Sequence, residues 1–238
     1  MIVCLDSGNS RIKWGVHDGE RWLAQGAVDH AGVAGLAELV ADWPAPRRVM
    51  LANVAGPDAA RRIRDALAPW AGLIDEVRSA PAAGGVVNGY ENPEKLGVDR
   101  WCALIGARDQ VSTAAIVVMA GTATTVDALA ADGRFLGGLI LPGLDLMRAS
   151  LARGTAGLPL AAGRHEGFPR NTDDAIVSGA IEAQAGAIER MAARLGGSAV
   201  CLLSGGAAPA LELALVIERR VAQNLPLEGL RVLARSGG

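Results

Sequence analysis

The chain has 238 residues, a formal net charge of −2 and a composition that is half hydrophobic. This balance argues against a disordered chain, and it gives no electrostatic reason to expect nucleic acid or an anionic membrane as a partner. The cysteines Cys4, Cys102 and Cys201 are far apart and form no disulfide or zinc pattern, so a reducing cytoplasm is the simplest expectation. The opening apolar run is too short for a signal peptide, and no run reaches the ~18 residues of a membrane span.

The first half of the chain opens with three predicted strands. An apolar run over 2–5 leads into a polar turn, and residues 11–16 then alternate polar and apolar with the period of a strand. Asp18-Gly19 is a hairpin signal that precedes a third strand over 20–28. The later segments predict helices over 31–43, 57–70 and 94–110 and a buried strand over 49–54.

The second half repeats this opening pattern. An apolar run over 115–119, a turn of small residues, and strands over 125–129 and 134–141 follow one another, with Gly121 in the place of Gly8. We interpret this as an internal duplication, although two hairpin-rich sheets can also look alike by chance. We therefore predict an α/β fold with an N-terminal lobe, residues 1–113, and a C-terminal lobe, residues 114–238.

The rest of the second half again alternates helix and strand. A long amphipathic helix is predicted over 173–195, with Asn171 or Thr172 as its cap and Gly196-Gly197 at its end. A buried strand over 199–203 then leads into Ser204-Gly205-Gly206, and a short helix is predicted over 209–215.

The first turn, Asp6-Ser7-Gly8-Asn9-Ser10 with Lys13 following, contains the groups of a phosphate-binding site. Gly8 lets the backbone approach an anion closely, and the turn amides with Asn9 and Ser10 can donate hydrogen bonds. Lys13 supplies positive charge, and Asp6 at the end of a strand can hold Mg²⁺. The structural alternative is a tight hairpin with polar turn residues.

Two further segments suit a nucleotide. The duplicated turn, Gly121-Thr122-Ala123-Thr124-Thr125, offers hydroxyl groups for a second phosphate contact, and Ser204-Gly205-Gly206 would let a nucleoside lie against the backbone. Only two of the 23 basic residues are lysines, Lys13 and Lys95. Because arginine is used nearly everywhere else, a specific role is indicated for Lys13 and left open for Lys95.

Taken together, these motifs resemble those of the type III pantothenate kinases, which belong to the superfamily of acetate and sugar kinases, heat-shock ATPases and actin. Any one stretch is weak, but the ordered set covers nearly the whole chain. The matching stretches are Asp6-Ser7-Gly8-Asn9-Ser10-Arg11-Ile12-Lys13, Gly89-Tyr90, Asn92-Pro93, Leu96-Gly97-Val98-Asp99-Arg100, Gly121-Thr122-Ala123-Thr124-Thr125-Val126-Asp127, Gly137-Gly138, Pro142-Gly143, Asn171-Thr172, Ala175-Ile176, Ser204-Gly205-Gly206 and residues 225–230.

The resemblance implies two duplicated ribonuclease-H-like lobes of the actin-like ATPase type around a central nucleotide cleft. It also implies a homodimer that phosphorylates pantothenate to 4′-phosphopantothenate with ATP and Mg²⁺, the first step of coenzyme A biosynthesis. The implied ATP contacts are Asp6, Ser7, Gly8, Asn9, Ser10, Arg11, Ile12, Lys13 and Thr122, with Asp6 also the implied Mg²⁺ ligand. The implied pantothenate contacts are Tyr90, Gly97, Val98, Asp99, Arg100 and Thr172.

Asp99 is the catalytic carboxylate that the resemblance implies. A carboxylate beside a primary hydroxyl can orient it and accept its proton as it attacks the γ-phosphate. Arg100 would neutralise either the substrate carboxylate or the charge that develops on the phosphate. Without the resemblance, Asp99 and Arg100 would be interpreted as an ordinary exposed helix pair, and Tyr90 as a packing residue.

One position departs from the family pattern. The family's second phosphate motif usually begins with an aspartate that helps to bind K⁺ or ammonium, and Met119 stands at that position. A thioether is a poor ligand for a hard cation, so the hypothesis is that this cation site is weakened or lost.

Two other functions stay open on the sequence alone. One is a kinase or phosphatase of the same fold that acts on another small molecule, and the other is a degenerate relative that binds nucleotide and regulates a partner. Asp6, Lys13, Asp99 and Arg100 argue against degeneration. The histidines His17, His30 and His165 have no metal-binding spacing, and we assign them no role.

Overall fold

A computed structural model describes residues 1–196 and 199–236 and has a mixed α/β architecture. The strands are β1 (Ile2–Ser7), β2 (Arg11–His17), β3 (Trp22–Asp29), β4 (Arg48–Asn53), β5 (Ile74–Glu76), β6 (Ala82–Ala83), β7 (Val86–Val87), β8 (Ala115–Ala120), β9 (Ala123–Leu129), β10 (Phe135–Pro142), β11 (Val200–Ser204) and β12 (Arg219–Val221). The α-helices are α1 (Ala37–Asp42), α2 (Pro57–Ala66), α3 (Val98–Gln110), α4 (Leu144–Gly154), α5 (Thr172–Arg194), α6 (Ala208–Glu212) and α7 (Leu225–Ser236).

Two five-stranded sheets share one topology. The strand orders are β3-β2-β1-β4-β5 and β10-β9-β8-β11-β12. In each sheet the first three strands form an antiparallel meander, and the last two run parallel to the central strand. This repeated order confirms the predicted α/β fold built from a duplicated unit.

The chain divides into two compact units, and their limits differ from the predicted lobes. The first unit contains residues 1–110 and the chain from Asn224 onward, and the second contains residues 111–223. The first boundary is close to the predicted one after residue 113. The assignment of the whole of residues 114–238 to the C-terminal lobe was wrong for the last helix, which packs in the first unit.

Close contact between α3 and α7 explains why the last helix belongs to the first unit. A Cβ atom on Gly106 would overlap the carbonyl oxygen of Leu225, and one on Gly229 would overlap that of Cys102. The two glycines therefore let the helix backbones approach more closely than larger side chains would allow. Arg231 of α7 adds ion pairs to Asp109 of α3 and to Glu228.

Alternation along β1 gives the first sheet two buried faces. Val3 and Leu5 point into a core with Leu51 and with Ile63 and Trp70. The opposite face carries Cys4, Met50 and Ala52, which pack against Cys102 of α3 and against Leu227 and Leu230 of α7. Asp6 follows Cys4 with the same parity, so its side chain points to the face that α3 covers.

In the second unit, α5 packs on one face of the sheet. Ile181, Ala185 and Ile188 join Ile116 and Val118 of β8 in one core. The Asn171 side chain caps the helix by accepting a hydrogen bond from the Asp174 backbone N–H at 2.9 Å, as one of the two predicted caps. Gly197, which we predicted to end this helix with Gly196, lies outside the described residues.

Several predicted helices are shorter than expected. The helix predicted over 94–110 begins at Val98, because Pro93–Lys95 forms a separate 3₁₀ turn and Leu96 is extended. The helices predicted over 31–43 and 57–70 likewise consist of a short α-helix joined to a 3₁₀ turn. Within the described residues, no helix is both long enough and apolar enough to cross a lipid bilayer.

Candidate active site

The turn between β1 and β2 begins where the strand pairing ends. Asp6 pairs with Lys13 across the two strands, and the Gly8 N–H donates to the Arg11 carbonyl oxygen at 3.1 Å. Cross-strand partners project to the same side of a sheet, so the Asp6 carboxylate and the Lys13 ammonium share one face. Asn9 and Ser10 are exposed at the tip of the turn.

Asp6 is buried although it carries an ionisable group. Its side chain is 7% exposed, and its Oδ1 atom has no hydrogen-bond partner in the described part of the chain. Burial raises the pKa of Asp6 to about 7, Lys13 opposes this rise, and the negative charge of Asp99 adds to it. Cys102 of α3 packs against Cys4 and Ala52 on the same face of the sheet, so the start of α3 lies near the end of β1. A buried oxygen without a partner suits a cation ligand.

The other predicted ATP contacts in this segment do not all present side chains. Ser7 is fully buried, and its hydroxyl has no partner in the described residues. Ile12 lies in the core of the first unit, so only its backbone could meet a ligand. Arg11 is exposed. The side chains that could reach a phosphate are therefore those of Asn9, Ser10, Arg11 and Lys13.

His30 supports this turn, and no sequence motif predicts this contact. Its Nε2–H donates to the Gly8 carbonyl oxygen at 2.7 Å, and its own carbonyl oxygen accepts from the Arg62 guanidinium at 3.1 Å. The contact joins the residue after β3 to the turn before β2, so no local spacing could have revealed it.

The first turn of α3 presents Asp99 and Arg100. The Trp101 N–H donates to the Gly97 carbonyl oxygen at 2.9 Å, which makes this the first turn of the helix. Asp99 Oδ1 accepts from the Arg100 backbone N–H at 2.9 Å, and a Cβ atom on Gly97 would overlap this carboxylate oxygen. Gly97 therefore leaves the space that the carboxylate occupies. Val98 packs partly buried against the core beneath.

Arg100 is 4% exposed, and Tyr90 is one of its partners. Its Nη1 donates to the Tyr90 hydroxyl at 2.7 Å, and its guanidinium carbon lies 5.5 Å from the centre of the tyrosine ring. A charged group this deeply buried requires such partners. An open cavity of about 410 Å³ lies beside this pair and is lined by Gly89, Tyr90, Glu91, Asn92 and Lys95.

The corresponding turn in the second unit is held by glycines. The Gly121 N–H donates to the Ala123 carbonyl oxygen at 3.1 Å, and the Gly143 N–H donates to the Thr122 carbonyl oxygen at 2.9 Å. A Cβ atom on Gly143 would overlap the Gly121 and Thr122 carbonyl oxygens, and one on Gly205 would overlap the Ala120 backbone. Thr122, the predicted ATP contact in this unit, is exposed at the tip.

Met119 lies in the middle of a row that crosses three strands. It pairs with Thr125 of β9 and with Ser204 of β11, so the three side chains share one face of the sheet. The hydroxyl oxygens of Thr125 and Ser204 are buried and have no hydrogen-bond partner in the described residues. Gln184 of α5 fixes the neighbouring residue, because its Oε1 accepts from the Thr124 hydroxyl at 2.8 Å.

Thr172 is the first residue of α5 and is exposed. The preceding loop is tied to this helix start, because the Ala162 and Arg164 N–H groups donate to the carboxylates of Asp173 and Asp174. A Cβ atom on Gly163 would overlap the Asp173 backbone.

The predicted site residues thus form two groups. The first unit brings together the β1–β2 turn, Asp99, Arg100 and Tyr90, and the second contains Thr122 and Thr172. Within residues 1–196 and 199–236, no cluster of three or more histidine, cysteine, aspartate or glutamate side chains could bind a metal ion by itself. A divalent cation held by Asp6 would therefore have to take most of its other ligands from the nucleotide and water.

Solved structures of low sequence identity support the fold. A Baf family protein from Campylobacter jejuni superimposes with a TM-score of 0.67 at 17% identity, with 98% of each chain covered. A glucokinase from an Antarctic psychrotroph superimposes with a TM-score of 0.52 at 12% identity over 99% of each chain. These likenesses show the actin-like kinase fold and carry no further argument about function.

Sequence comparison assigns the family. The family model described as type III pantothenate kinase matches residues 2–194. The type III pantothenate kinase of Dechloromonas aromatica (strain RCB) is 63% identical over 235 residues, which cover 98% of this chain and 99% of that protein. The family match therefore spans most of the chain, and the sequence match spans nearly all of it. The chain belongs to the type III pantothenate kinase family.

Proposed function

We propose that this chain transfers the γ-phosphoryl group of ATP to the primary hydroxyl of pantothenate. The product is 4′-phosphopantothenate, and the reaction is the first step of coenzyme A biosynthesis. One observation carries the proposal beyond family membership: the strand face that ends in the buried Asp6 packs through Cys4 and Ala52 against Cys102 of α3, the helix whose first turn carries Asp99. A carboxylate suited to a substrate hydroxyl is thereby near the turn suited to phosphate.

In this proposal Asp99 orients the pantothenate hydroxyl and accepts its proton as the oxygen attacks phosphorus in line. Positioning of this kind accounts for much of the rate in phosphoryl transfer, because the transition state is loose. Tyr90 and Arg100 line the acceptor side, where the guanidinium is held by the Tyr90 hydroxyl at 2.7 Å. Gly97, Val98 and Thr172 complete the proposed substrate contacts.

The β1–β2 turn is the proposed site for the ATP phosphates. Lys13, Asn9, Ser10 and Arg11 supply side-chain donors, Ser7, Gly8 and Ile12 contribute their backbone, and Thr122 is the proposed ATP contact of the second unit. The unpartnered Oδ1 atom of Asp6 fits a divalent cation, so Asp6 would hold Mg²⁺, directly or through water. Bound Mg²⁺ would neutralise phosphate charge.

The test is a coupled assay of ADP release with ATP and Mg²⁺ in the presence and absence of pantothenate. We expect ADP release that depends on pantothenate and that Asp99→Asn lowers by roughly 10²–10⁴-fold. ATP binding by this variant, measured by titration calorimetry, should remain close to that of the wild type. Nucleotide binding without any turnover of pantothenate would instead favour another substrate or a regulatory role.

We also propose that the enzyme works without a monovalent cation. The row Thr125, Met119 and Ser204 offers a thioether between two neutral hydroxyl groups. A hard cation such as K⁺ prefers oxygen ligands, so the Met119 thioether leaves this row without a ligand at its centre. Activity should change less than about twofold when K⁺ replaces tetramethylammonium at constant ionic strength, whereas Met119→Asp should gain activation by K⁺. A wild-type enzyme that is silent without K⁺ would contradict this proposal.

The proposed assembly is a homodimer with the substrate pocket near the interface. Large apolar side chains are exposed in the second unit, including Phe168 at 94%, Leu160 at 66% and Ile140 at 65%. Contiguous apolar patches are typical of association surfaces, and these side chains are the proposed members of one. Sedimentation velocity should give a dimer for the wild type and for Leu213→Asp, which removes a different apolar group that is 83% exposed. Phe168→Asp should shift the equilibrium towards monomer, and a monomeric wild type would contradict the proposal.

The proposed location is the cytoplasm. Cys4, Cys102 and Cys201 are all free thiols and are buried, which suits a reducing compartment. Free thiols that react with a thiol reagent only after denaturation of freshly isolated protein would support this proposal, and an intermolecular disulfide would argue against it.

A further inference from the structure

A buried amide stands in the middle of α5. Gln184 is 0% exposed although it is polar, and it lies on the same helix face as Ile181 and Ile188, which belong to the core of the second unit. Burial of an amide costs free energy unless its polar atoms are hydrogen-bonded. An apolar side chain would fill this position without that cost, so the partners of Gln184 indicate why an amide stands there.

Both ends of this amide bind the same end of the β9–β10 hairpin. Its Oε1 accepts from the Thr124 hydroxyl at 2.8 Å, and its Nε2–H donates to the Pro142 carbonyl oxygen at 2.9 Å. A carbonyl oxygen can only accept, which fixes the orientation of the amide. Thr124 is the second residue of β9, and Pro142 is the last residue of β10 and pairs with Ala123. One side chain therefore ties two strand ends together.

These two strand ends hold the turn that carries Thr122. Thr124 follows Thr122 by two residues along the chain. On the other strand, Pro142 precedes Gly143, whose N–H donates to the Thr122 carbonyl oxygen at 2.9 Å. A Cβ atom on Gly143 would overlap the same carbonyl oxygen, so the two segments are in close contact. Gln184 is thus connected to Thr122 by two routes, one along the chain and one across the hairpin.

We propose that Gln184 is a positioning residue for ATP, because it holds the turn from which the Thr122 hydroxyl meets the phosphates. This assignment rests on the proposed function, specifically on the ATP contact of Thr122, and adds a residue that the sequence motifs do not include. The turn residues 121–123 are exposed, so their position is set by the buried groups beneath them. Strand pairing holds β8, β9 and β10 together independently of Gln184, so loss of the amide should displace the turn and leave the sheet folded.

The test measures the dissociation constant of ATP by titration calorimetry in the presence of Mg²⁺. Gln184→Met keeps a side chain of similar size but removes both hydrogen bonds, and it should raise this constant roughly fivefold. Thr124→Val removes the first of these bonds from the opposite side, should raise the constant about threefold, and decides the question if Gln184→Met does not fold. In steady-state kinetics the loss should appear in the KM for ATP, with the KM for pantothenate within about twofold of the wild type.

Coupling to Thr122 distinguishes positioning from a simple loss of stability. In a Thr122→Val background, Gln184→Met should change the ATP dissociation constant by less than about twofold, because the hydroxyl that it positions is gone. Ile188→Val is the matched control, since it weakens the packing of the same helix face without removing a hydrogen bond to the turn. It should leave the ATP dissociation constant unchanged.

Three results would overturn the assignment while leaving the kinase function intact. They are an unchanged ATP dissociation constant in both Gln184→Met and Thr124→Val, an equal loss with and without the Thr122 hydroxyl, and a loss in Ile188→Val as large as that in Gln184→Met. Wild-type protein that binds ATP but turns over no pantothenate would overturn the proposed function, and calorimetry with ATP would still decide the role of Gln184.

Discussion

Asp6 and Met119 stand two residues before the turn glycines Gly8 and Gly121, at equivalent positions of two sheets with the same strand order. In the first sheet, Asp6 pairs with Lys13, and a buried carboxylate oxygen is left without a partner. In the second, Met119 separates the buried hydroxyls of Thr125 and Ser204. The duplicated fold thus carries charge on one central strand and a neutral thioether on the other.

The two turns also differ in how they are supported. In the first turn, two residues separate the hydrogen-bonded Gly8 and Arg11, whereas in the second a single residue separates Gly121 and Ala123. The His30 side chain also donates a hydrogen bond to the Gly8 carbonyl oxygen. The second is shorter and is closely packed against Gly143 and Gly205. The duplicated scaffold is therefore the same in both units, whereas only the first has an aspartate two residues before its turn glycine.

A matched pair of substitutions on the two central strands, β1 and β8, tests this difference. Asp6→Asn should lower kcat with pantothenate by roughly 10²–10³-fold, because it removes the anionic ligand of the proposed Mg²⁺ site. Met119→Leu should keep kcat within about threefold, because the change nearly conserves volume. Coupled ADP-release kinetics would measure both. Equal losses in the two variants would contradict the asymmetry.

The glycine that supports the second turn provides the next test. Gly143→Ala should lower the free energy of unfolding by roughly 1–3 kcal/mol, since the new methyl group meets the backbone of the turn. Gly8→Ala should be milder, because its Cβ would lie 3.5 Å from the Arg11 carbonyl oxygen, an ordinary contact.

Denaturant unfolding would rank these two variants, with Gly154→Ala as the control. The Gly154 position is open, so that variant should stay within about 1 kcal/mol of the wild type. If Gly143→Ala were as stable as Gly154→Ala, the packing described for the second turn would be wrong.

Much of this architecture could be predicted from the sequence because its signals are local. Alternation with period two and the Asp18-Gly19 hairpin signal predicted the first meander, and the repeat of this pattern predicted a second, similar sheet. The position of the last helix could not be predicted this way. It depends on Gly106 and Gly229 meeting across more than a hundred residues of chain, and no local pattern reports such a contact.

The candidate site shows the same division between local and distant information. Asp6, Lys13, Asp99 and Arg100 stand in recognisable motifs, but their roles remain proposals. His30 follows β3 without any motif, so its contact with Gly8 emerges only from the fold. The start of the helix at Val98 was predicted too early, because Pro93 is a start signal. The element that Pro93 begins is a separate 3₁₀ turn and not the α-helix.

The pH dependence of the free energy of unfolding should also report on the buried carboxyl of Asp6 on β1. The pKa of Asp6 is about 7 in the folded chain, against an ordinary value of 3.8. The folded state therefore binds more protons than the unfolded state between these values, and its stability falls as pH rises through about 7. Without nucleotide and Mg²⁺, the free energy of unfolding of the wild type should fall by up to a few kcal/mol between pH 4 and pH 8. The free energy of unfolding of Asp6→Asn should not show this fall.

This prediction is measured by denaturant unfolding at several pH values in that range. Because Asp6→Asn should be the more stable protein at pH 8 and also the inactive one, stability and activity would move in opposite directions. If the free energy of unfolding changed with pH in the same way in the wild type and in Asp6→Asn, burial of the Asp6 carboxylate would not be the cause of the pH dependence.

The smallest expected effect concerns the support of the first turn by His30. His30→Ala should raise the KM for ATP about fivefold, because the Gly8 carbonyl loses one hydrogen bond worth about 1 kcal/mol. His30→Gln retains an N–H donor and should recover most of this loss, which a general defect in folding would not allow. Steady-state kinetics with varied ATP would measure it, and an unchanged KM would remove His30 from the support of the turn.

The most direct test of the central claim follows the γ-phosphoryl group by ³¹P NMR in a mixture of enzyme, ATP, Mg²⁺ and pantothenate. We predict that a phosphomonoester resonance grows as ATP is consumed, only when pantothenate is present, and that Asp99→Asn binds ATP but produces almost none of it. Release of inorganic phosphate alone, or formation of the phosphomonoester by Asp99→Asn at the wild-type rate, would contradict the account.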